Sequence, residues 1–326
     1  MGSTLGKNIN LTVFGESHGP YVGATLSGLP SGIKINLEYI NQKMRLRKGG
    51  KPGTTNRVEE DEINFISGVR DGYTNGNPIT VLIKNKDYRD EDYNLDIARP
   101  SHGDYTNYLK YGEFGERIGG GFYSARTTAP IVALCAIIQE QLEKKNIFIK
   151  QEIVYDEDKQ NNAIKNNDSL GALVVSKIQG LEDGVGEPYF DSLESNISHA
   201  LFSIPGVKGV SFGLGFDYLN KCGSEVNDQF DVQNNKVVTT TNNCGGINGG
   251  ISNGQEITIN TVFKPAASVG TNQNVLNLKT KEIQQYQING RHDACIAIRG
   301  SVVISSLVAF VVLDLLLSIH GVNYLK

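Results

Sequence analysis

Residues 302–319 read VVISSLVAFVVLDLLLSI, and this long, mostly apolar stretch decides how the chain must fold. It reaches the length at which a helix can span a membrane, about 17 to 25 residues. Three serines and Asp314 interrupt it, however, and a carboxylate inside lipid is costly. We therefore predict a helix at the centre of a globular core, with the other elements packed around it, and no membrane association.

The elements around this helix are a mixture of strands and helices. Runs rich in β-branched residues predict strands at residues 10–14, 172–176 and 256–263. Apolar spacing predicts helices over residues 129–144 and 193–203. Glycine-rich loops join them, so the sequence predicts an α+β or layered α/β fold without fixing its topology.

Two charged segments bear on the boundaries of these elements. Asp191, followed by Glu194 three residues later, predicts an acidic start for the helix at 193–203. Residues 156–168, DEDKQNNAIKNND, are charged and rich in asparagine, which predicts an exposed loop. This segment is the one candidate for a linker between domains, and it does not divide the chain cleanly. We therefore predict a single domain over residues 1–326.

Composition limits the class of protein. With 39% apolar and 20% charged residues, the 326-residue chain suits a soluble protein with a substantial core. A net charge of −4 argues against a general nucleic-acid binder. The four cysteines form no C-x-x-C pair, which predicts free thiols in a reducing compartment. The start, MGSTLGKNIN, lacks an apolar signal core, so we expect a cytoplasmic protein.

Six loops carry most of the residues that could do chemistry, and five of them contain glycine. Glycine permits unusual backbone angles and lets a ligand approach the main chain closely. Three glycines before a helix can also present backbone N–H groups to an anion. The loops are FGESHGP (14–20), IARPSHGDY (97–105), GGGFYSARTT (119–128), NCGGINGGISNG (243–254), FKPAASV (263–269) and GRHDACIAIR (290–299).

Histidines and one aspartate in these loops are acid–base candidates. His18 follows the first predicted strand, where it could exchange a proton near neutral pH or simply be a solvated turn residue. His102 and Asp293 lie in two other loops. Together with His292, the histidines form no H-E-x-x-H pattern, so no metal site is predicted. Ser17 precedes His18, but no G-x-S-x-G elbow supports it as a nucleophile.

Arginines concentrate in the same loops and in the stretch MRLRKGGKPGTTNR. A guanidinium group holds a carboxylate or phosphate with two parallel hydrogen bonds. The sequence therefore predicts an enzyme whose ligand carries several anionic groups, although residues 45–51 could equally be a solvated helix end. The arginines are Arg45, Arg47, Arg57, Arg99, Arg126, Arg291 and Arg299.

Taken together, the loop motifs resemble the chorismate synthase family. Any one glycine loop is weak evidence, but a full set in the family's order is specific. The resemblance implies a β-α-β sandwich, an α+β fold with helices layered between two antiparallel sheets, assembled as a homotetramer. The matching segments are FGESHG, RPSHGDY, GGGFYSARTTA, EPYFDSLESNISHALFSIPGVKGVSFG, GGINGGISNG, FKPAAS and GRHDACIAIR.

The resemblance implies the last step of the shikimate pathway. This step is the 1,4-anti-elimination of phosphate and a proton from 5-enolpyruvylshikimate 3-phosphate, which gives chorismate. The family requires reduced FMN (FMNH2), although the reaction is redox-neutral, and NADPH would be needed only if the protein reduces its own flavin. The substrate carries one phosphate and two carboxylates, which suits the arginines.

Residue roles follow from the same resemblance. His18 would be the acid that helps phosphate leave, since a histidinium neutralises the growing charge. Ser17 would act as a relay, His102 would lie beside the flavin ring, and Asp293 would take the proton from flavin N5. The substrate would be held by Arg45 or Arg47, with Arg57 and Arg126. The flavin contacts would be Tyr123, Ser124, Pro205, Gly206, Gly249, Lys264, Pro265, Ala266, Ala267, Ser268 and Arg291.

The chain also departs from the family pattern. Phe122 and Tyr123 stand where the family usually has Arg-Ser, so one anion contact is expected to be lost or replaced. Residues 264–268 read Lys-Pro-Ala-Ala-Ser instead of a run with more hydroxyl groups, and the segment at 156–168 is shorter than in many members.

Two other functions fit parts of the sequence. A flavin-dependent oxidoreductase could use the same pocket and would consume NAD(P)H with an external acceptor. A non-catalytic protein could bind flavin or RNA, with residues 43–51 as the basic segment, but that segment has no interleaved aromatic residues. The presence of His18, His102 and Asp293 together favours the enzyme.

Overall fold

Two antiparallel sheets enclose a layer of helices. The computed structural model describes residues 2–55, 60–86, 94–288 and 293–325. The strands, in chain order, are β1 (Thr4–Leu5), β2 (Asn10–Gly15), β3 (Tyr21–Ser27), β4 (Ile63–Ser67), β5 (Val69–Arg70), β6 (Tyr73–Thr74), β7 (Ile79–Lys84), β8 (Ile97–Ala98), β9 (Phe148–Val154), β10 (Ala172–Gln179), β11 (Val207–Phe212), β12 (Phe230–Gln233), β13 (Lys236–Thr239), β14 (Ile247–Asn248), β15 (Ile251–Ser252), β16 (Ile257–Phe263), β17 (Asn272–Asn277) and β18 (Ile283–Gln287).

Seven α-helices are found among the described residues. They include both helices and the long apolar core helix that the sequence predicts, and three predicted strands are present as β2, β10 and β16. The helices are α1 (Leu37–Arg47), α2 (Asp104–Tyr111), α3 (Ala129–Lys144), α4 (Glu157–Lys165), α5 (Leu193–Phe202), α6 (Gly223–Val226) and α7 (Ala297–His320).

In the two largest of the described sheets, neighbouring strands run antiparallel. One has the strand order β1-β2-β3-β7-β4, and the other has the order β11-β16-β10-β9. Burial alternates along β7, β10 and β16, as expected for strands with one face on the core. Helices α3 and α7 pack on each other between the sheets, α3 against β3 and α7 against β9. The predicted β-α-β sandwich is therefore confirmed.

The long apolar stretch lies within α7. Two helical segments, Ile118–Lys144 and Ala297–His320, are long and apolar enough to span a membrane, yet 78% and 89% of their apolar windows are buried inside the fold. Ser305 and Ser306 donate their hydroxyl protons to the carbonyl of Val302, so neither hydroxyl needs a partner outside the helix. The prediction of a core helix is confirmed.

Asp314 anchors the N-terminal segment to this core helix. Its buried carboxylate accepts backbone N–H groups from Lys7 (2.9 Å), Asn8 (2.7 Å) and Ile9 (3.0 Å). A buried carboxylate with three backbone donors is well satisfied, and removing it would leave all three donors without their acceptor. The acidic residue that argued against a membrane span thus has a structural role inside the protein.

Asp314→Ala is expected to lower the free energy of unfolding by about 3 kcal/mol, because hydrogen bonds to a charged group contribute about 1.5–3 kcal/mol and several are lost. Urea denaturation followed by circular dichroism measures it. Ser318→Ala is the matched control: Ser318 accepts from Asn8 Nδ2 at the exposed end of the same contact, so its loss should cost under about 1 kcal/mol. Equal losses for the two variants would contradict the anchor.

Of two sequence predictions about element boundaries, one is wrong and one is confirmed. Residues 156–168 contain α4 and are not simply a loop, because Asp156 caps the helix by accepting from Lys159 N at 2.9 Å, while Gln160 is buried. The helix α5 is capped by Ser192, whose hydroxyl accepts from Ser195 N at 3.0 Å. Glu194 lies in the first turn, so the predicted acidic start of this helix is confirmed, although the capping residue is Ser192 and not an acid.

Candidate active site

A cleft of about 930 Å³ collects residues from loops that are far apart in sequence. This volume lies near the upper end of the range for small-molecule sites, about 300–1,000 Å³. Its described lining includes most of the residues that the resemblance assigns. They are Ser17, Arg47, His102, Tyr123, Ser124, Arg126, Pro205, Gly206, Lys264, Pro265, Ala266, Ala267, Ser268 and Asp293.

The loop that carries His18 is held against the three-glycine turn. Ser17 donates its backbone N–H to Gly121 O at 3.1 Å. Gly119 has a φ of +59°, and a Cβ placed on it would lie 2.1 Å from His18 Cε1 and 3.0 Å from Ser17 Oγ. No side chain fits at position 119, and glycine therefore allows the backbone to pack directly against the imidazole of His18. The turn therefore fixes His18 by close packing.

Asn85 connects this loop to an arginine of the cleft. Its Nδ2 donates to Glu16 O at 3.0 Å and Gly19 O at 2.6 Å, on either side of His18. Its Oδ1 accepts from Arg126 Nε at 2.8 Å. Because Asn85 is buried, these bonds tie the position of the His18 loop to that of the Arg126 guanidinium.

His102 is oriented by an acidic partner, Asp104, which begins α2. His102 Nδ1 lies 2.8 Å from Asp104 Oδ1, which can only accept, and 3.0 Å from Arg99 Nη2, which can only donate, so both groups hold the ring at Nδ1. Arg99 donates to the same carboxylate through Nε (2.6 Å) and Nη2 (2.8 Å), and its Nη1 donates to Ser268 Oγ at 3.0 Å. The ring of His102, held in this way, lines the cleft.

The Asp104 carboxyl is strongly acidic in this network. Burial would raise its pKa, but the hydrogen bonds from Arg99 and His102 outweigh burial and hold the pKa well below its usual range. Asp104 thus stays ionised across the working range of an enzyme. It keeps Arg99 and His102 in place.

The low pKa of Asp104 predicts acid sensitivity. The unfolded chain takes up this proton near pH 4 and the folded chain only well below that, so the stabilisation is complete above about pH 4 and is lost as the pH falls further. We expect Asp104→Asn to be less stable than wild type at neutral pH and to lose less additional stability under acid. Urea denaturation at successive pH values measures it, with Asp96→Asn, a surface partner of Lys279, as control. Parallel pH profiles for wild type and Asp104→Asn would contradict the network.

Arg47 and Arg126 meet at a shared carboxylate. Asp61 is almost fully buried, pairs with Arg126 through a short contact, and lies 3.6 Å from Arg47 Nη1. Arg47 also donates to Ala125 O (2.6 Å) and to Thr128 Oγ1 (3.2 Å). Two guanidinium groups thus meet at one carboxylate beside the cleft, and guanidinium groups are suited to bind carboxylate and phosphate groups.

Asp293 is held from two sides at the start of the segment that leads into α7. Its Oδ1 accepts from Thr55 N at 2.8 Å, and its Oδ2 lies 3.1 Å from Arg299 Nη1. Arg299 also donates from Nε to Arg47 O at 2.9 Å. These contacts fix the Asp293 carboxylate in the cleft, close to the C-terminal end of α1, where Arg47 lies.

Some predicted residues lie elsewhere. Arg45 is exposed on α1 and does not line the cleft, whereas Arg47 is buried beside it, so the geometry favours Arg47 for ligand contact. Gly249 lies in the turn between β14 and β15, outside the described lining. His18 is also outside that lining, although it packs against Gly119, which belongs to it. Arg57 and Arg291, together with His292, lie outside the described residues.

Sequence reasoning missed three residues that organise the site, namely Asn85, Asp61 and Asp104. Asp104 could have been predicted from the sequence, because it stands two residues after His102 in the motif RPSHGDY. Asp61 and Asn85 lie in ordinary polar surroundings in the sequence and carry no signal of burial. Among the described residues, no group of three or more His, Cys, Asp or Glu side chains is arranged to hold a metal ion.

Comparison with known proteins identifies the family. The chorismate synthase family model matches residues 9–162 and 155–317, and its two segments overlap at the start of α4. The chain is 37% identical to a chorismate synthase of Methanobrevibacter smithii over 96% of both chains. It is 39% identical to that of Chitinophaga pinensis, over 97% of this chain and 96% of the relative.

The fold agrees with these relatives. A crystal structure of chorismate synthase superimposes with a TM-score of 0.75 and covers 97% of this chain and 94% of its own, at 24% identity. A likeness at that identity establishes the architecture alone, and the activity class comes from the sequence relatives. The chain belongs to the chorismate synthase family, whose members are lyases.

Proposed function

We propose that the protein converts 5-enolpyruvylshikimate 3-phosphate to chorismate by a 1,4-anti-elimination that depends on reduced FMN. The observation that carries this proposal is the convergence of three elements. Gly119 fixes the His18 loop at the cleft, and His102 and Asp293 both line it. Acid and base groups held by different neighbours suit a reaction that expels phosphate and removes a proton.

The residues of the cleft fit reduced FMN. Cationic side chains that could receive its phosphate stand near apolar lining from Ile131, Ile296 and Leu307 that could receive its ring. Residues 264–268 and Ser124 supply backbone and hydroxyl groups beside them. When bound, reduced FMN supplies an electron-rich ring that supports the elimination without net redox change.

The chain's own residues divide the remaining work. Arg47 and Arg126 bind and orient the anionic groups of the substrate, since guanidinium groups hold carboxylates and phosphates through parallel hydrogen bonds. His18 gives a proton to the departing phosphate oxygen, which neutralises the charge that develops there. His102 is held at Nδ1 by Asp104 and Arg99, and its ring lines the cleft beside the ligand. Asp293 accepts the proton that the reaction releases.

Assembly and location follow the resemblance. We propose a cytoplasmic homotetramer, and large exposed aromatic side chains support self-association, since Phe190, Phe216 and Phe230 are 93%, 85% and 81% exposed in the single chain. Light scattering would test it: a mass near that of one 35.5 kDa chain would contradict the tetramer.

An anaerobic assay tests the reaction. Purified protein is mixed with 5-enolpyruvylshikimate 3-phosphate and dithionite-reduced FMN, and chorismate is followed by its absorbance. Chorismate without net flavin oxidation supports the proposal, and a repeat with NADPH shows whether the protein reduces its own flavin. Folded, flavin-binding protein that forms no chorismate, but consumes NADPH with an external acceptor, would replace it by a flavin-dependent oxidoreductase.

A further inference from the structure

Two lysines come together along one wall of the cleft. Lys264 directly follows β16, and Lys208 lies near the start of β11, the strand paired with β16. The backbone N–H of Lys264 donates to Gly206 O at 2.9 Å, so the two chain segments are still paired where the lysines emerge. Both residues line the cleft.

A β-bulge sets the direction of Lys208. Val207 pairs with Phe263 and Gly209 pairs with Val262, so Lys208 is the extra residue on β11. A bulge breaks the strict alternation of a strand and redirects a side chain, and bulges are frequent beside active sites. Val207 remains buried in the core while Lys208 contributes to the cleft.

The two ammonium groups act on each other. Burial, together with the charge of Lys208, lowers the pKa of Lys264. Lys264 Nζ also contacts the carbonyl oxygen of Ser101, in the loop that carries His102. Within the described part of the chain, neither lysine forms an ion pair with a carboxylate, whereas Arg47 and Arg126 share Asp61. Two neighbouring cations without a carboxylate between them suit a doubly charged anion.

We propose that Lys208 and Lys264 together bind the phosphate monoester dianion of a ligand in this cleft. The inference rests on the proposed function, which supplies two such groups, on FMN and on the substrate. It adds Lys208, a residue that the loop motifs leave without a role. Ser268 stands on the same wall, and its hydroxyl accepts from Arg99, which leaves its proton to donate to a phosphate oxygen.

The test compares the affinities of oxidised FMN and riboflavin, which differ only by the phosphate. Dissociation constants are measured by flavin fluorescence on the full-length protein. Lys208→Met keeps the unbranched stem and removes the charge. The matched control is Lys236→Met on β13, an exposed lysine outside the described lining of the cleft. Circular dichroism confirms that each variant is folded.

If the dianion belongs to FMN, Lys208→Met should weaken FMN binding about tenfold and leave riboflavin binding unchanged. If it belongs to the substrate, both flavin affinities should stay as in wild type. Binding of 5-enolpyruvylshikimate 3-phosphate, and its competition by inorganic phosphate, should then weaken about tenfold. Lys236→Met should match wild type throughout.

Wild-type affinities of Lys208→Met for FMN, riboflavin and substrate would overturn the inference, as would equal weakening of FMN and riboflavin. The proposed function is judged separately, by chorismate formation in the wild-type protein. An active wild type with an unaffected Lys208→Met variant would refute the phosphate site alone. Phosphate-dependent binding through Lys208 without chorismate formation would refute the reaction alone.

Discussion

His18→Ala is expected to lower kcat by about 10²- to 10⁴-fold, which is the usual contribution of a positioned general acid or base. Negative charge develops on the phosphate oxygen as its bond to carbon breaks. Loss of the proton donor that neutralises this charge therefore raises the activation free energy of the elimination. The fold should be unaffected, because His18 is a half-buried residue of a loop whose backbone is held independently by Asn85 and Gly121. The measurement is chorismate formation under anaerobic conditions with reduced FMN.

Gly119→Ala tests the role of His18 without replacing the histidine itself. A Cβ at this position would overlap the His18 ring, and the alanine would have to keep the positive φ of Gly119. The imidazole should therefore be displaced and kcat should fall. Gly72→Ala is the matched control, since Gly72 also has a positive φ, +79°, but no atom lies within 4 Å of the position that its Cβ would take.

Both glycine variants share the backbone strain, and only Gly119→Ala disturbs His18. Similar activity in the two glycine variants would show that strain, and not the position of His18, decides the rate. Wild-type turnover in His18→Ala would remove the proton-donor role altogether.

The core of the fold could be predicted because its signal is local. The apolar runs at residues 129–144 and 302–319 are long enough to be helices, and both are buried as α3 and within α7. Residues 156–168 were predicted wrongly because composition reports polarity and not contacts. The helix α4 is polar on its exposed face, yet Gln160 is buried and approaches Gly53.

The site could be predicted only in part, because burial of charge is a property of the whole fold. Loops rich in glycine and histidine identify the cleft, but a buried acid such as Asp61 looks like any surface acid in the sequence. Arg45 and Arg47 could not be separated by motif. Two positions apart on a helix, they point in nearly opposite directions, and the packing of α1 on α3 selects Arg47.

Asp293→Asn is expected to lower kcat by about 10²- to 10⁴-fold, with substrate affinity changed far less. Asparagine has nearly the same shape, and its amide oxygen can still accept from Thr55 N, so the backbone position of the loop is preserved. It cannot accept a proton at neutral pH, however. The variant therefore separates a base from a residue that only holds the loop in place.

Steady-state kinetics and substrate binding on the same protein decide between these two roles. A base predicts a large fall in kcat with a dissociation constant close to that of wild type, because the loss occurs only after the substrate is bound. A structural role predicts a kcat close to that of wild type, since the amide oxygen would keep the contact with Thr55 N. Asp293→Glu restores a carboxylate at a displaced position, so partial recovery of kcat relative to Asp293→Asn is expected for a base. An Asp293→Asn enzyme with wild-type kcat would assign the carboxylate to binding Arg299, and the proton would have to leave through another group of the cleft.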